Sequence, residues 1–73
     1  MAQVQVKSEI SGTVWKLETE PGQKVAAGDT VLVVESMKME IPVLAETAGT
    51  IVSFAVKHGD IVTEGQTVAT MET

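Results

Sequence analysis

The chain consists of short apolar runs that are separated by turns containing glycine. The runs are rich in Val, Ile and Thr, residues that favour β-strands. No stretch of ten or more residues keeps a 3.6-residue apolar period free of Gly and Pro, so helices are not expected. The pattern predicts eight strands, near Gln3–Lys7, Thr13–Thr19, Lys24–Val25, Thr30–Glu35, Met39–Leu44, Thr50–Val56, Ile61–Val62 and Thr67–Glu72.

The same pattern occurs twice along the chain, in half-repeats of about 4–36 and 41–73. A shift of 37 positions superimposes the three glycines of each half, Gly12 on Gly49, Gly22 on Gly59 and Gly28 on Gly65. One four-stranded half cannot cover its own apolar face, whereas two related halves packed together can. The sequence therefore predicts an all-β fold in one domain, 1–73. We expect a flattened β-barrel or sandwich of two four-stranded antiparallel sheets, related by an internal pseudo-two-fold axis.

Two details of the repeat predict local geometry. Val14 and Leu17 are both apolar but three residues apart, and Ile51 and Phe54 repeat this spacing. Because a regular strand would place such pairs on opposite faces, we expect a bulge or strong coiling in each strand, with Leu17 and Phe54 pointing into the core. The repeat also relates the hairpin between the halves to the two terminal strands. The turn at Lys38 and the chain ends are therefore predicted at opposite ends of the molecule.

The charge balance excludes several classes of function. The 73 residues include ten acidic and five basic side chains, and the net charge is −5. Nucleic acid or an anionic membrane would need the opposite sign, and no apolar run approaches the roughly 20 residues of a membrane span. The N-terminal residues lack the charged segment and apolar core of a signal peptide, so we expect a cytoplasmic protein. No metal site is expected, since cysteine is absent and His58 lies alone in a polar turn.

The connection between the halves, Glu35–Glu40, has unusual chemistry for a hairpin. Tight two-residue turns prefer Asn-Gly or Gly-Gly because both central residues need positive φ, but this segment contains neither. A turn at Met37-Lys38 therefore costs about 1–3 kcal/mol of backbone strain. The residues alone leave two interpretations equally open. Lys38 is either an ordinary surface lysine beside two core methionines, or a presented lysine whose flanking methionines pack against a visiting surface.

The segment Ser36-Met37-Lys38-Met39 resembles the Ala-Met-Lys-Met attachment motif of biotinyl/lipoyl carrier domains. The resemblance extends over nearly the whole chain, through Gly12, Gly22, Val25, Gly28 and Glu35 before the lysine and Pro42, Gly49, Gly59, Val62 and Gly65 after it. It implies a biotin carboxyl carrier with biotin attached to Lys38 as an amide. It also implies that a biotin protein ligase reads the surrounding residues, Glu35, Ser36, Met37, Met39 and Glu40.

The resemblance further implies the partners of such a carrier. The ligase would use ATP to attach biotin, a biotin carboxylase would carboxylate it, and a carboxyltransferase would pass the carboxyl group to an acceptor, commonly an acyl-CoA. The domain itself would be non-catalytic and monomeric in isolation, and would raise the effective concentration of biotin at each site. Ser36 replaces the usual Ala of the motif. The short turn Glu20–Gln23 leaves no room for the inserted "thumb" of some acetyl-CoA carboxylase carriers.

Several alternatives remain open at this point. A lipoyl domain would share the fold and the lysine position, although its motif typically reads Asp-Lys-Ala, and an unmodified hybrid domain of an efflux-pump adaptor would share the fold alone. Glu35 and Glu40 are either a solvated cross-strand pair or residues that the ligase reads. Acid–base catalysis by them is rejected because a hairpin tip offers no pocket. Trp15, whose counterpart is Val52, is expected to pack in the core or on the sheet surface.

Overall fold

The computed structural model describes residues 2–73, which form eight β-strands and no helix. The part of the chain described thus contains no helix long and apolar enough to cross a membrane. The strands are β1 Gln3–Lys7, β2 Gly12–Leu17, β3 Lys24–Val25, β4 Thr30–Ser36, β5 Met39–Leu44, β6 Gly49–Phe54, β7 Ile61–Val62 and β8 Thr67–Glu72. All eight predicted strands are confirmed. The ladders of β2 and β6 begin one residue earlier and end two residues earlier than predicted.

The strands form two four-stranded sheets with the orders β1-β8-β6-β3 and β5-β4-β2-β7, and every neighbouring pair is antiparallel. The shift of 37 positions found in the sequence converts one order into the other. It carries β1 onto β5, β8 onto β4, β6 onto β2 and β3 onto β7. Each sheet combines strands of both half-repeats, so neither half covers its apolar face alone. The predicted fold class and its internal pseudo-two-fold symmetry are confirmed.

Four tight turns share one construction. In each, the third residue is a glycine with φ between 85° and 92°, which other residues adopt only with strain. The side chain of the fourth residue accepts a hydrogen bond of 2.8 to 3.2 Å from the backbone N–H of the first. The four turns are Glu20–Gln23, Ala26–Asp29, Lys57–Asp60 and Thr63–Gln66. The connection from β2 to β3 therefore contains a tight turn and no thumb-like insertion.

The bulges predicted from the apolar spacing occur in both halves. In β2, Val14 and Lys16 pair with adjacent residues of β4, so Trp15 between them has no partner in that ladder. The ladder of β6 and β8 skips Val52 in the same way. The extra residue changes the alternation of side chains along the strand. This change accounts for apolar positions that lie three residues apart.

The core lies between the two sheets and is built mainly from valine. Its largest fully buried side chains include Leu32, Ile51 and Met71. Leu17 and Phe54 pack against this core, as predicted, but both are only partly buried. Each is the last residue of its strand, so it covers the margin of the core instead of filling the centre.

The molecule is elongated, with Cα extents of 36 × 17 × 17 Å. Strand β2 runs away from the Lys38 hairpin and leads into the turn Glu20–Gln23, which exchanges two backbone hydrogen bonds with Ile51 of β6. Close to this turn, Ala2 and Thr73 exchange two backbone hydrogen bonds of their own. The chain ends thus lie side by side at the end of the molecule that is remote from Lys38, as the repeat predicts.

Candidate functional site: the Lys38 hairpin

The hairpin between β4 and β5 is closed by two residues in an uncommon backbone conformation. Ser36 pairs with Met39, which leaves Met37 and Lys38 as the central residues of the turn. Their φ angles are 52° and 65°, and no other non-glycine residue within 2–73 has a positive φ. Positive φ at both central positions defines a type I′ turn, whose twist matches the flanking strands. The strained turn predicted at Met37-Lys38 is present.

The side chains at the turn project into solvent. Met37 is 92% exposed and Met39 is 63% exposed. The interpretation of both as core methionines is therefore wrong. Lys38 is also exposed, and no ion pair within residues 2–73 engages its ammonium group. The turn thus presents one free primary amine between two thioether side chains.

Two carboxylates stand just behind the turn. Glu35 and Glu40 are direct register partners on β4 and β5, and both are exposed. Like charges that face each other across strands destabilise a sheet by roughly 0.2–1 kcal/mol. A groove of about 570 Å³ lies between β1 and β5, and none of its lining residues belongs to 35–40. The two carboxylates therefore form a solvated pair outside this cavity, which does not suit general acid–base chemistry.

The base of the hairpin is held firmly by the sheet. Strand β4 lies between β5 and β2, and its residues Leu32 and Val34 are fully buried. On β2, a Cβ atom added to Gly12 would overlap the carbonyl oxygen of Glu35. The close approach of β2 to β4 therefore requires glycine at this position. The sequence revealed Gly12 only as part of the repeat, because it contains no information on the distance between the strands.

Two aromatic rings lie on the same sheet, away from the turn. Trp15 is 46% exposed, and the centroid of its ring lies 6.2 Å from that of His58 with the planes tilted by 49°. His58 occupies the solvated turn Lys57–Asp60, as predicted. Trp15 packs on the sheet surface, which is one of the two locations expected for it.

The geometry of the hairpin indicates a class of protein. A rigid two-sheet scaffold presents a single amine on an exposed turn, and the acidic groups beside it lie in solvent. Such a site suits a group that is held by one covalent bond and reacts in the active sites of other proteins. A carboxylic acid such as biotin, joined to the amine as an amide, fits this requirement. A fold and an exposed amine of this kind are what a covalent-attachment carrier domain requires.

Comparison with known proteins gives the family. Residues 2–71 match the family model described as "Biotin-requiring enzyme". The chain is 38% identical over 60 residues to the biotin/lipoyl attachment protein of Bacillus subtilis (strain 168), an alignment that covers 82% of each chain. It is 39% identical over 64 residues to the biotinylated protein TB7.3 homolog of Mycobacterium leprae, covering 88% of this chain and 90% of that protein. The chain belongs to the biotin/lipoyl attachment family.

The solved structures include a close match to the fold. The crystal structure of the Kluyveromyces lactis urea carboxylase superimposes with a TM-score of 0.93 and 35% sequence identity. The superposition covers 99% of this chain but only 6% of the urea carboxylase chain. A scaffold of this kind thus occurs as a small part of a much larger carboxylase.

Proposed function

We propose that residues 1–73 form a single biotinyl carrier domain that works as a biotin carboxyl carrier and bears biotin on Lys38. The exposed Met37-Lys38 turn carries this proposal, because it places an exposed lysine at a position of positive φ where the hairpin would accept glycine without strain. Membership of the attachment family and the biotinylated mycobacterial relative support biotin as the attached group.

The chemistry at Lys38 is an acyl transfer carried out by a ligase. The lone pair of the Nζ atom attacks the carboxyl carbon that ATP has activated, the leaving group departs and the nitrogen releases a proton. The amide that forms is neutral, so acylation removes the positive charge of the side chain. Once attached, biotin supplies the ureido nitrogen that accepts a carboxyl group. The protein contributes placement, since the sheet fixes the base of the arm.

The remaining partners follow from this role. A biotin carboxylase loads the carboxyl group, and a carboxyltransferase passes it to an acceptor, for which we propose an acyl-CoA. We place the domain in the cytoplasm, because its acylation consumes ATP, and we expect it to be monomeric alone. Glu35, Ser36, Met37, Met39 and Glu40 are proposed as residues that the ligase reads, since they surround the amine that must enter its active site.

Lipoyl attachment is the second candidate, because the name of the Bacillus relative includes both groups. Biotin is favoured by the residues around the lysine. Methionine occupies both flanking positions, where lipoyl motifs typically have Asp and Ala. A hybrid domain without any attached group is less favoured, since it has no need of an exposed lysine on a strained turn.

The test is incubation of the purified chain with a biotin protein ligase, biotin and ATP, followed by mass spectrometry of the intact protein. We expect a mass increase of one biotinyl group in the wild type and none in Lys38→Arg. Lys57→Arg is the matched control, because Lys57 is another exposed turn lysine, and it should take up one group. Biotin on Lys38→Arg would disprove the assignment. Lipoylation by a lipoate ligase without biotinylation would favour the second candidate.

A further inference from the structure

The pseudo-two-fold symmetry allows the two ends of the molecule to be compared directly. Across the sheet next to the Lys38 turn runs a line of four register partners, which we call the tip row. The two-fold axis relates it to a second line beside the chain ends, which we call the mate row. The tip row is Glu40, Glu35, Thr13 and Ile61, and the mate row is Gln3, Glu72, Thr50 and Lys24.

All four side chains of the tip row lie on the outer face of their sheet. Direct register partners in antiparallel strands point to the same face, and each of these four residues is exposed. Ile61 is 78% exposed, although isoleucine is among the residues most often buried in proteins. The tip row therefore places an apolar side chain and two carboxylates in solvent on one surface.

The mate row shows that the fold does not require this composition. It has one carboxylate and one ammonium group, so its charges balance, whereas the tip row has two carboxylates and no basic group. Lys24 occupies the position of Ile61, and Gln3 occupies that of Glu40. The same backbone thus accepts a wholly polar row. The fold therefore does not require the exposed isoleucine or the repulsive Glu35–Glu40 pair.

The position of Ile61 relative to Lys38 identifies the kind of partner. Strand β7 lies two strands from β4, a separation of roughly 10 Å. An interface that buries about 800 Å² on each partner has a radius of roughly 16 Å if it is circular. Ile61 therefore lies within reach of a protein surface that docks on the Lys38 hairpin and on this sheet. Attachment requires the amine itself to enter the active site, whereas later steps act at the far end of a long arm.

We propose that the tip row is the edge on which the biotin protein ligase docks, with Ile61 as an apolar anchor. The ligase surface would have an apolar patch over Ile61 and a basic group opposite the Glu35–Glu40 pair. This inference rests on the proposed function, because it assumes that a ligase acylates Lys38. It adds a recognition residue that lies outside the lysine's hairpin, on β7, and more than 20 positions later in the chain.

The test compares biotinylation kinetics of Ile61→Thr with those of Lys24→Thr. Threonine keeps the β-branched shape that suits a strand and adds no charge, so the first variant removes only apolar surface. We expect kcat/KM of the ligase for Ile61→Thr to fall roughly fivefold or more, mainly through KM, with little change in melting temperature. Lys24→Thr makes the corresponding change in the mate row and should stay within about twofold of the wild type.

Ile61→Lys serves as a second variant because it copies the residue that the fold accepts in the mate row. It should lose more activity than Ile61→Thr, since its ammonium group would be placed against the apolar patch of the ligase and near its basic group. If Ile61→Thr and Ile61→Lys are both folded and are biotinylated as fast as the wild type, the proposal is overturned. Normal biotinylation with slower carboxyl transfer would overturn it too, because a later enzyme would then be the occupant. A wild-type dimer that dissociates in Ile61→Thr would also overturn the proposal, because a second copy of the chain would then be the partner that covers Ile61.

The wild type is measured first in the same assay. If the ligase adds no biotin to it, the proposed function fails and the docking inference fails with it. If the wild type is biotinylated and both Ile61 variants react equally fast, only the docking inference fails.

Discussion

Replacing Met37 by glycine is expected to stabilise the protein and to impair its biotinylation. Met37 has φ 52°, and the left-handed conformation costs a residue with a Cβ atom about 1–2 kcal/mol. Glycine removes this strain but loses about 0.5–1 kcal/mol of additional chain entropy on folding. Because Met37 is 92% exposed, almost no buried apolar surface is lost. The net gain is about 0.5–1 kcal/mol, which raises the melting temperature by roughly 2–8 °C.

Met37→Ala separates the backbone from the side chain in this experiment. Alanine removes the thioether group but keeps the Cβ atom and the strain, so its melting temperature should stay close to that of the wild type. Both variants lack the side chain that the ligase is proposed to read, so both should be biotinylated more slowly. Thermal unfolding followed by circular dichroism and intact-mass kinetics with the ligase measure the two effects on the same samples.

Two results would refute this reasoning. A melting temperature of Met37→Gly several degrees below that of the wild type would mean that the turn is not strained, or that Met37 contributes packing. Unchanged biotinylation of both variants would remove Met37 from the ligase interface. Slower biotinylation of Met37→Gly alone would mean that the ligase depends on the rigidity of the turn and not on the thioether.

The remaining predictions concern the core and the acidic pair. Leu32→Ala should lower the free energy of unfolding by about 2–5 kcal/mol, because Leu32 is fully buried, whereas Phe54→Ala should cost less since its ring is only partly buried. Urea denaturation measures both, and equal midpoints would contradict the assigned burial. Glu40→Gln copies Gln3 of the mate row and should raise stability by roughly 0.2–1 kcal/mol at low salt, since it removes the repulsion from Glu35. It should also slow the ligase, and faster biotinylation would exclude a basic surface opposite the pair.

The fold was predictable because its local and global signals agree. Glycine at the third position of each tight turn set the strand boundaries, and the shift of 37 positions related the two sheets before any pairing was known. The odd spacing of Val14 and Leu17 predicted a bulge or strong coiling in this strand, and the structure has a bulge there with Trp15 as the extra residue. Strain in the turn at Met37-Lys38 was predicted because no residue suited to positive φ was available there, whereas the residues alone left open whether its methionines were buried or exposed.

What the sequence did not reveal depends on distances across the sheets. Phe54 has the composition of a core residue, but its place at the end of β6 leaves it at the margin. Gly12 repeats as Gly49 in the sequence, yet only the packing of β2 against β4 explains why no larger residue fits. Ile61 looked like one residue of a short apolar strand. Its exposure, and its alignment with Glu35 and Glu40, follow from register partners far apart in the chain.

The hydrogen bonds between Ala2 and Thr73 hold the first and last described residues of the polypeptide together at the end of the β1–β8 strand pair. The two residues stand in the same relation as Ser36 and Met39, whose strands are joined by a two-residue turn. In a variant without Met1, a link of Asn-Gly from Thr73 to Ala2 would therefore cyclise the polypeptide without moving a strand. Closing a loop of this length removes chain entropy of the unfolded state worth roughly 4 kcal/mol. Such a ring, reopened within the turn Lys57–Asp60, would give a circular permutant that still displays an unbroken Lys38 hairpin.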